Sequence, residues 1–154
     1  MKFKGVQILF AIVLFTSCGP KPSKSIGDII KEIDTYISKV DANSNLKEET
    51  IEGALTDREG FKDIGKFKYT VYVDGQNNQL YKIKNVEMTD KTIFETYYFK
   101  EGELIFIDTN IGGASHKMYV QKNKVISETK TNAETQKLLL EKANRFQKNF
   151  NKGR

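Results

Sequence analysis

The sequence contains the stretch Tyr98-Phe99-Lys100-Glu101-Gly102-Glu103-Leu104-Ile105, and its pattern returns without a gap as Tyr119-Val120-Gln121-Lys122-Asn123-Lys124-Val125-Ile126. Each copy has Tyr and an apolar residue, two polar residues, Gly or Asn, a charged residue and a second apolar pair. A two-residue β-hairpin turn needs positive φ angles, which Gly and Asn adopt most readily. The repeat therefore predicts two β-hairpins, with Gly102 and Asn123 at equivalent turn positions. A looser copy with a longer turn at residues 72–81 predicts a third hairpin.

Strand patterns extend outward from these turns. Residues 67–73 and 93–99 alternate with a period of two, which is the period of a β-strand. Leu104–Ile107 is a continuous apolar run, as expected for a strand that is buried on both faces. A further strand is expected at Thr50–Leu55. Since three hairpins in series connect with the least chain as a meander, we expect an antiparallel meander sheet of about six strands.

An amphipathic helix is predicted on each side of the sheet in the sequence. Ser25 can cap the first, whose apolar residues recur with a helical period: Ile26, Ile29, Ile30, Ile33, Tyr36, Ile37 and Val40. The second follows the capping-box spacing of Thr131 and Glu134, and its apolar stripe is Leu139, Ala143, Phe146 and Phe150. Because both stripes need a surface to cover, we predict an α+β fold with the N-terminal and C-terminal helices packed on one face. The alternative for the first helix is a position in the membrane interface, but its polar side carries both signs of charge, which favours packing on the sheet.

The composition fits one domain, which we place at residues 25–150, with a frayed tail at 151–154. The chain has 154 residues, of which 38% are hydrophobic. Its 11 Gly and 2 Pro exclude collagen-like and proline-rich disordered chains. A single Cys excludes a disulfide scaffold and a cysteine-based zinc site, and a single His excludes histidine-rich metal clusters. We therefore expect neither a metal nor a cofactor.

The first 17 residues have the order of an export signal. Met1–Lys4 is cationic, and the apolar run Val6–Phe15 is too short to cross a bilayer as a permanent helix, which takes about 20 residues. The run ends at Ser17-Cys18, where a small residue precedes the only cysteine. This junction resembles the lipobox of bacterial lipoproteins, with Phe15 at the position where that family has Leu, Val or Ile.

The lipobox resemblance implies a lipoprotein signal peptide at residues 1–17 and a lipidated tether at 18–24. Cys18 would carry a diacylglyceryl group and an acyl chain, which together anchor a protein stably to a membrane. Gly19 follows Cys18 where an Asp would resemble an inner-membrane retention signal, so the outer membrane is favoured in a cell that has one. The alternative is a plain secretory signal with an unmodified thiol.

The whole arrangement is similar to small uncharacterised envelope lipoproteins of Bacteroidota-type bacteria. In these proteins a Tyr-Tyr-Phe-x-x-Gly-x-Leu-Ile hairpin and a later Tyr-Val or Tyr-Phe hairpin precede a final helix, as residues 97–105 and 119–126 do here. The resemblance covers most of residues 26–150 and implies a lipid-anchored protein of the cell envelope. It transfers no catalytic or binding residue, because the shared motifs form turns and strands.

Lysines beside tyrosines mark a predicted ligand face. Its residues are Lys66, Lys68, Tyr72, Lys82 and Lys84. Basic strands with aromatic residues can bind anionic polymers by charge and stacking, whereas the alternative is that the lysines only protect an exposed sheet. Loss of Lys2 and Lys4 with the signal leaves 23 of the 25 basic residues against 20 acidic ones, a net charge of +3, and only three basic residues are Arg. We therefore expect an anionic glycan or an envelope protein as the partner, and no nucleic acid.

Three further stretches contain residue types that can form catalytic or ligand-binding sites. His116 is expected in an exposed loop, and its neighbour Ser115 would face the opposite way on a strand, so the two do not predict a nucleophile–base pair. Gly112-Gly113 predicts a wide hairpin turn, since no helix follows it. The acidic residues between Glu48 and Asp63 are interspersed with basic ones, which is typical of a solvated segment.

These observations favour a non-enzymatic, lipid-anchored binding or accessory domain of the cell envelope. The alternative is an inhibitor or immunity-type protein that blocks a secreted hydrolase through the loop Asn110–Ser115. A small hydrolase that uses carboxylates near Glu49–Asp63 is the third hypothesis.

Overall fold

The structure is a computed structural model that describes residues 24–153. The predicted signal peptide, Cys18 and most of the tether lie outside the described residues. The elements are α1 (Ile26–Asp41), β1 (Leu46–Thr56), β2 (Asp63–Asp74), β3 (Leu80–Met88), β4 (Thr92–Lys100), β5 (Glu103–Ile111), β6 (Ala114–Gln121), β7 (Lys124–Glu128) and α2 (Ala133–Lys152). The strands form one antiparallel sheet in sequence order. The predicted α+β meander is confirmed, with seven strands rather than about six.

The two helices lie on opposite faces of the sheet, so the prediction that they share one face is wrong. Ile33 and Val40 of α1 pack with Tyr98 and Phe106. Leu139 and Ala143 of α2 pack in a separate core that includes Tyr97 and Ile107. The apolar runs 97–99 and 104–107 place large side chains on both faces of β4 and β5, and each face takes one helix. We call the face of Tyr98 and Phe106 the α1 face, and the face of Tyr97 and Ile107 the α2 face.

The sequence repeat encodes a β-bulge as well as a turn. In the pairing of β4 with β5, Tyr98 is opposite Phe106 and Phe99 is opposite Leu104, so Ile105 is an extra residue. Tyr81 in the β2–β3 pair and Ile126 in the β6–β7 pair occupy the same place. Tyr81 and Ile105 pack against the α1 core. The last residue of each repeat therefore lies in a bulge. At two of the three hairpins, this residue enlarges the apolar surface on which α1 packs.

Tyrosine hydroxyl groups fix α1 to its face. Tyr36 of α1 donates to the Phe99 carbonyl at 2.7 Å, and Tyr98 donates to Asp41 at 2.9 Å. Tyr119 donates to Asp34 at 2.9 Å. Burial raises the pKa of Tyr36 to about 12, with smaller contributions from Tyr81 and Glu101, so this hydroxyl remains a donor at all physiological pH values. These contacts place α1 on the sheet, as expected, rather than in a membrane interface.

The helix ends differ in detail from their predictions. Ser25 caps α1 by accepting from the Asp28 amide at 3.2 Å, as expected. In α2 the cap is Asn132, which accepts from the Thr135 amide at 2.8 Å, whereas Thr131 is buried. The helix reaches Lys152, so it continues past the predicted domain end at residue 150.

The turn at Gly102 gives the first testable prediction. Gly102 has a φ of 79°, which is strained for a β-branched residue, so Gly102→Val should lower the free energy of unfolding by about 1–3 kcal/mol. Asn123, with a φ of 59°, is at the equivalent turn, and Asn123→Gly should be neutral or slightly stabilising. Gly75 is the matched control, because it does not have a positive φ and has open space around it. Urea unfolding should show little change for Gly75→Val, and an equal loss in both valine variants would contradict the role of φ.

Candidate functional site

All five residues of the predicted ligand face lie on the α1 face. Thr70 is opposite Lys84 and Tyr72 is opposite Lys82 in the β2–β3 register, and side chains at opposed positions share a face. Lys66 and Lys68 precede Thr70 in β2 at even spacing and so lie on the same side. The sequence thus identified side chains that the sheet does bring to one surface.

Lys82 holds α1 in place and is not free to contact a ligand. It is only 6% exposed, and its Nζ lies 2.8 Å from Asp41 Oδ1. The same Nζ lies 4.3 Å from the centroid of the Tyr72 ring, and Lys84 Nζ lies 5.3 Å from it. Lys82 therefore differs from the other four residues of the predicted ligand face, because a buried ammonium needs its carboxylate and its aromatic neighbour. Tyr72 is half-buried between the two lysines.

Beyond α1 the face remains open, and three lysines surround Val86 there. Lys68 is opposite Val86, Lys66 is diagonal to it on β2, and Lys84 precedes it by two residues on β3; we call these three lysines the lysine cluster. Lys68 pairs with Glu52 at 2.9 Å, and this hydrogen bond raises the pKa of Lys68. No carboxylate of residues 24–153 forms an ion pair with Lys66 or Lys84. The cluster therefore has three cations and one carboxylate as its partner.

An exposed aromatic ring and a cavity adjoin the lysine cluster. Phe94 is opposite Val86 on the neighbouring strand and is 51% exposed. A cavity of about 570 Å³ lies at the open end of β1, β2 and β3, with Lys66, Lys68 and Met88 among its lining residues. Cations beside an exposed ring can bind a ligand that combines negative charge with a flat apolar surface. The sequence prediction missed Phe94; its face was readable from the alternating stretch 93–99, but its exposure was not, since Tyr98 on the same face is buried.

The α2 face carries a second group of charged residues, which is partly to fully buried. Lys142 Nζ lies 2.6 Å from Glu87 Oε1 and 2.8 Å from Glu95 Oε2, and Asn85 donates to both carboxylates at 2.9 Å. Burial acts to raise the pKa of Glu87, but hydrogen bonds from Lys142 and Asn85, with the charges of Lys142 and Arg145, hold it below its usual value. Each carboxylate is thus occupied by partners that hold α2 on the sheet. This cluster explains helix docking and offers no free acid or base.

His116 lies in β6 and not in an exposed loop as expected. It is half-buried on the α2 face opposite Thr109, and its Nδ1 and the Thr109 hydroxyl are buried without a hydrogen-bond partner among the described residues. Gly112 and Gly113, with φ angles of 59° and 90°, form a tight two-residue turn rather than a wide one. The strand β6 therefore begins earlier than the apolar pattern indicated, because Ser115 and Lys117 alternate outward as polar residues.

The acidic stretch does not converge on a site. Glu48, Glu49 and Glu52 lie along β1, whereas Asp57 and Glu59 lie in the connection to β2. Within residues 24–153, no group of three or more His, Cys, Asp or Glu side chains is placed to hold a metal ion. Neither helix of the described part of the chain is long and apolar enough to cross a membrane. Comparison of the chain with protein-family models, with curated proteins and with solved structures finds no match.

Proposed function

We propose that this protein is a lipid-anchored binding domain of the cell envelope that takes an anionic glycan on the open part of the α1 face. The observation that carries the ligand class is the lysine cluster beside the exposed Phe94 ring. Carboxylate or phosphate groups would pair with Lys66 and Lys84, and a sugar ring would lie on Phe94. The role is non-enzymatic.

The anchor part of the proposal rests on the Ser17-Cys18 junction and on the position of α1. α1 begins at Ile26, and residues 18–24 form a tether with two prolines and little apolar character. Seven extended residues span at most about 25 Å, so the domain would stay close to the bilayer surface. A short tether of this kind holds a binding domain within reach of the polymers at that surface.

The lysine cluster should bind carboxylated polysaccharide in preference to neutral polysaccharide. With polygalacturonate as the probe, Lys66→Gln/Lys84→Gln should weaken binding by at least about fivefold, and binding should fall with salt, because both charges act on the ligand. Phe94→Ala should weaken binding at high salt as well, since stacking is not screened. Dextran, which is uncharged, should bind more weakly than polygalacturonate if the ligand charge contributes to binding. Isothermal titration calorimetry of the full chain in detergent measures these affinities.

The matched control for this test is Lys137→Gln/Lys148→Gln, which removes the same charge from exposed positions of α2. Its binding should stay near that of the wild type. An equal loss in both double variants would show that net charge alone controls binding, and the site assignment would fail.

Cys18 should carry the lipid. In the producing cell, an alkyne fatty acid should label the wild-type chain and leave Cys18→Ser unlabelled, and only the wild type should sediment with membranes. The lipobox pattern predicts this because the thiol is the acceptor of the diacylglyceryl group. Equal labelling of the two proteins would refute lipidation at Cys18. The proposed glycan binding would be unaffected by that result, since the calorimetric titration tests it separately.

A further inference from the structure

The outer edge of β1 is the longest free strand edge of the described sheet. β1 has 11 residues and pairs with β2 along its length, and no other described strand pairs with its outer side. The opposite edge strand, β7, has only 5 residues. In an antiparallel pair about half the residues of an edge strand direct their N–H and C=O groups outward. β1 therefore offers an extended row of backbone donors and acceptors.

β1 lacks most of the features that block strand addition. It contains no proline, and its register with β2 is regular until the shift at Leu55/Thr56. Charged side chains are its one protection: of the four in β1, three are glutamates and the fourth is Lys47. A second copy of β1 would bring net negative charge against net negative charge. The strand therefore opposes self-pairing but not pairing with a basic strand.

The two sides of the β1 edge differ in chemistry. On the α1 face it carries Glu48, Thr50 and Glu52 at alternate positions. Glu48 forms no ion pair with a described residue, and Glu52 meets only the exposed Lys68, in a pair of the kind that contributes little. Basic side chains of an added strand would lie next to both glutamates.

On the α2 face the edge carries the ion pair of Lys47 with Glu49, followed by the apolar side chain of Ile51. Ile51 is 61% exposed and lines a cavity of about 260 Å³ together with Tyr69, Val71 and Phe150, where the end of α2 approaches the strand. Cavities for whole small-molecule ligands measure about 300–1,000 Å³, so this one suits a single side chain. An added strand would place alternate side chains beside Ile51.

We propose that β1 is a strand-addition site for an extended protein segment in which basic and apolar residues alternate. Backbone hydrogen bonds to the outer edge of β1 supply affinity, basic residues over Glu48 and Glu52 set the face, and an apolar residue fills the cavity beside Ile51. The partner is a protein that occupies the edge of β1, whereas the glycan site lies on the sheet face beside Phe94; the two sites adjoin at the Glu52–Lys68 ion pair.

An octapeptide of alternating Lys and Leu is the probe, titrated into the full chain in detergent. Glu48→Gln/Glu52→Gln should weaken its binding by about tenfold or more, and Glu48→Lys/Glu52→Lys should transfer the preference to an octapeptide of alternating Glu and Leu. Two further peptides carry N-methyl groups on all Lys or on all Leu nitrogens. At least one of these two peptides should lose binding, because the backbone N–H groups that donate to β1 belong either to the Lys residues or to the Leu residues. Lys66→Gln/Lys84→Gln should leave peptide binding unchanged.

The control variant is Glu59→Gln/Glu103→Gln, which removes two exposed carboxylates elsewhere and should bind the peptide as the wild type does. Unchanged affinity in Glu48→Gln/Glu52→Gln, or binding of both N-methylated peptides at the strength of the parent, overturns the proposal. Sedimentation of the chain without peptide supplies the last outcome: a dimer that Glu48→Lys/Glu52→Lys abolishes would make a second copy the occupant and overturn it as well.

Discussion

Lys142→Met is expected to lower the free energy of unfolding by about 3–5 kcal/mol at neutral pH, because it leaves two carboxylates without their cation. Lys142 lies within 2.8 Å of both Glu87 and Glu95, and the Glu95 side chain is almost fully buried. Methionine keeps the apolar stem, so the loss reports the charge. Urea unfolding of the two proteins measures the difference. Glu95→Gln added to Lys142→Met should recover part of the loss, since it removes one of the unpaired charges.

The pH dependence of this loss has a definite sign. In the wild type the pKa of Glu87 is lowered, so its contribution to stability is present at neutral pH and disappears as the pH falls through the folded-state pKa. Without Lys142 the effect of burial dominates, the pKa of Glu87 rises, and the folded variant takes up a proton more easily. The difference in the free energy of unfolding between the wild type and Lys142→Met should therefore become smaller as the pH is lowered from 7 to about 4. Lys137→Met, at an exposed position of the same helix, should cost less than about 0.5 kcal/mol at either pH.

Ile33→Ala and Phe146→Ala should each lower the free energy of unfolding by about 2–4 kcal/mol, because each opens a cavity under a helix. Ile33 is buried with Tyr98 and Phe106, whereas the Phe146 ring lies 5.1 Å from Tyr69 and 5.5 Å from Tyr97, between ring centroids. Since the two sites are on opposite faces and share no partner, their effects should add. The milder pair Ile33→Val and Phe146→Leu keeps the double variant folded for this test.

Additivity within about 0.5 kcal/mol is the expected result of that double-mutant cycle in urea unfolding. A coupling above about 1 kcal/mol would mean that the helices share one core, contrary to the two-face arrangement. Ile26→Ala in α1 and Leu138→Ala in α2 are the controls, since both side chains are exposed apolar residues on the same helices. Neither should change the unfolding midpoint appreciably.

The sequence predicted the elements better than it predicted the layers. The hairpins at Gly102 and Asn123 and both helices were readable, because turn chemistry and periodicity are local. The sequence did not show which side of the sheet each helix covers. That depends on whether the apolar stripe of a given helix packs on Tyr97 or on Tyr98, which point to opposite faces. The bulge at Ile105 contributed to this failure, because it shifts the alternation that assigns residues to faces.

The candidate site was partly readable for the same reason. The period of two puts Lys66 and Lys68 on one face of β2, and the β2–β3 register adds Lys84 to that face. The burial of Lys82 depends on Asp41, which lies 41 positions away in another element. The pattern of β4 does not distinguish Phe94 from its neighbours, since the exposure of this ring follows from how far α1 extends and not from the strand itself.

The meander has a consequence for the order in which the chain folds. Each strand pairs only with its sequence neighbours, so the sheet can grow from local hairpins with short loops to close. α1 is the exception, because its Asp34 meets Tyr119 across 85 positions. During synthesis from the N-terminus, α1 is synthesised before the strands on which it packs. Its apolar stripe therefore stays uncovered until β6 has been synthesised. We therefore expect α1 to dock after the sheet has formed. In folding kinetics, the ratio of the change in activation free energy to the change in stability should be near zero for mutations at Ile33 and higher for mutations in the hairpin around Gly102.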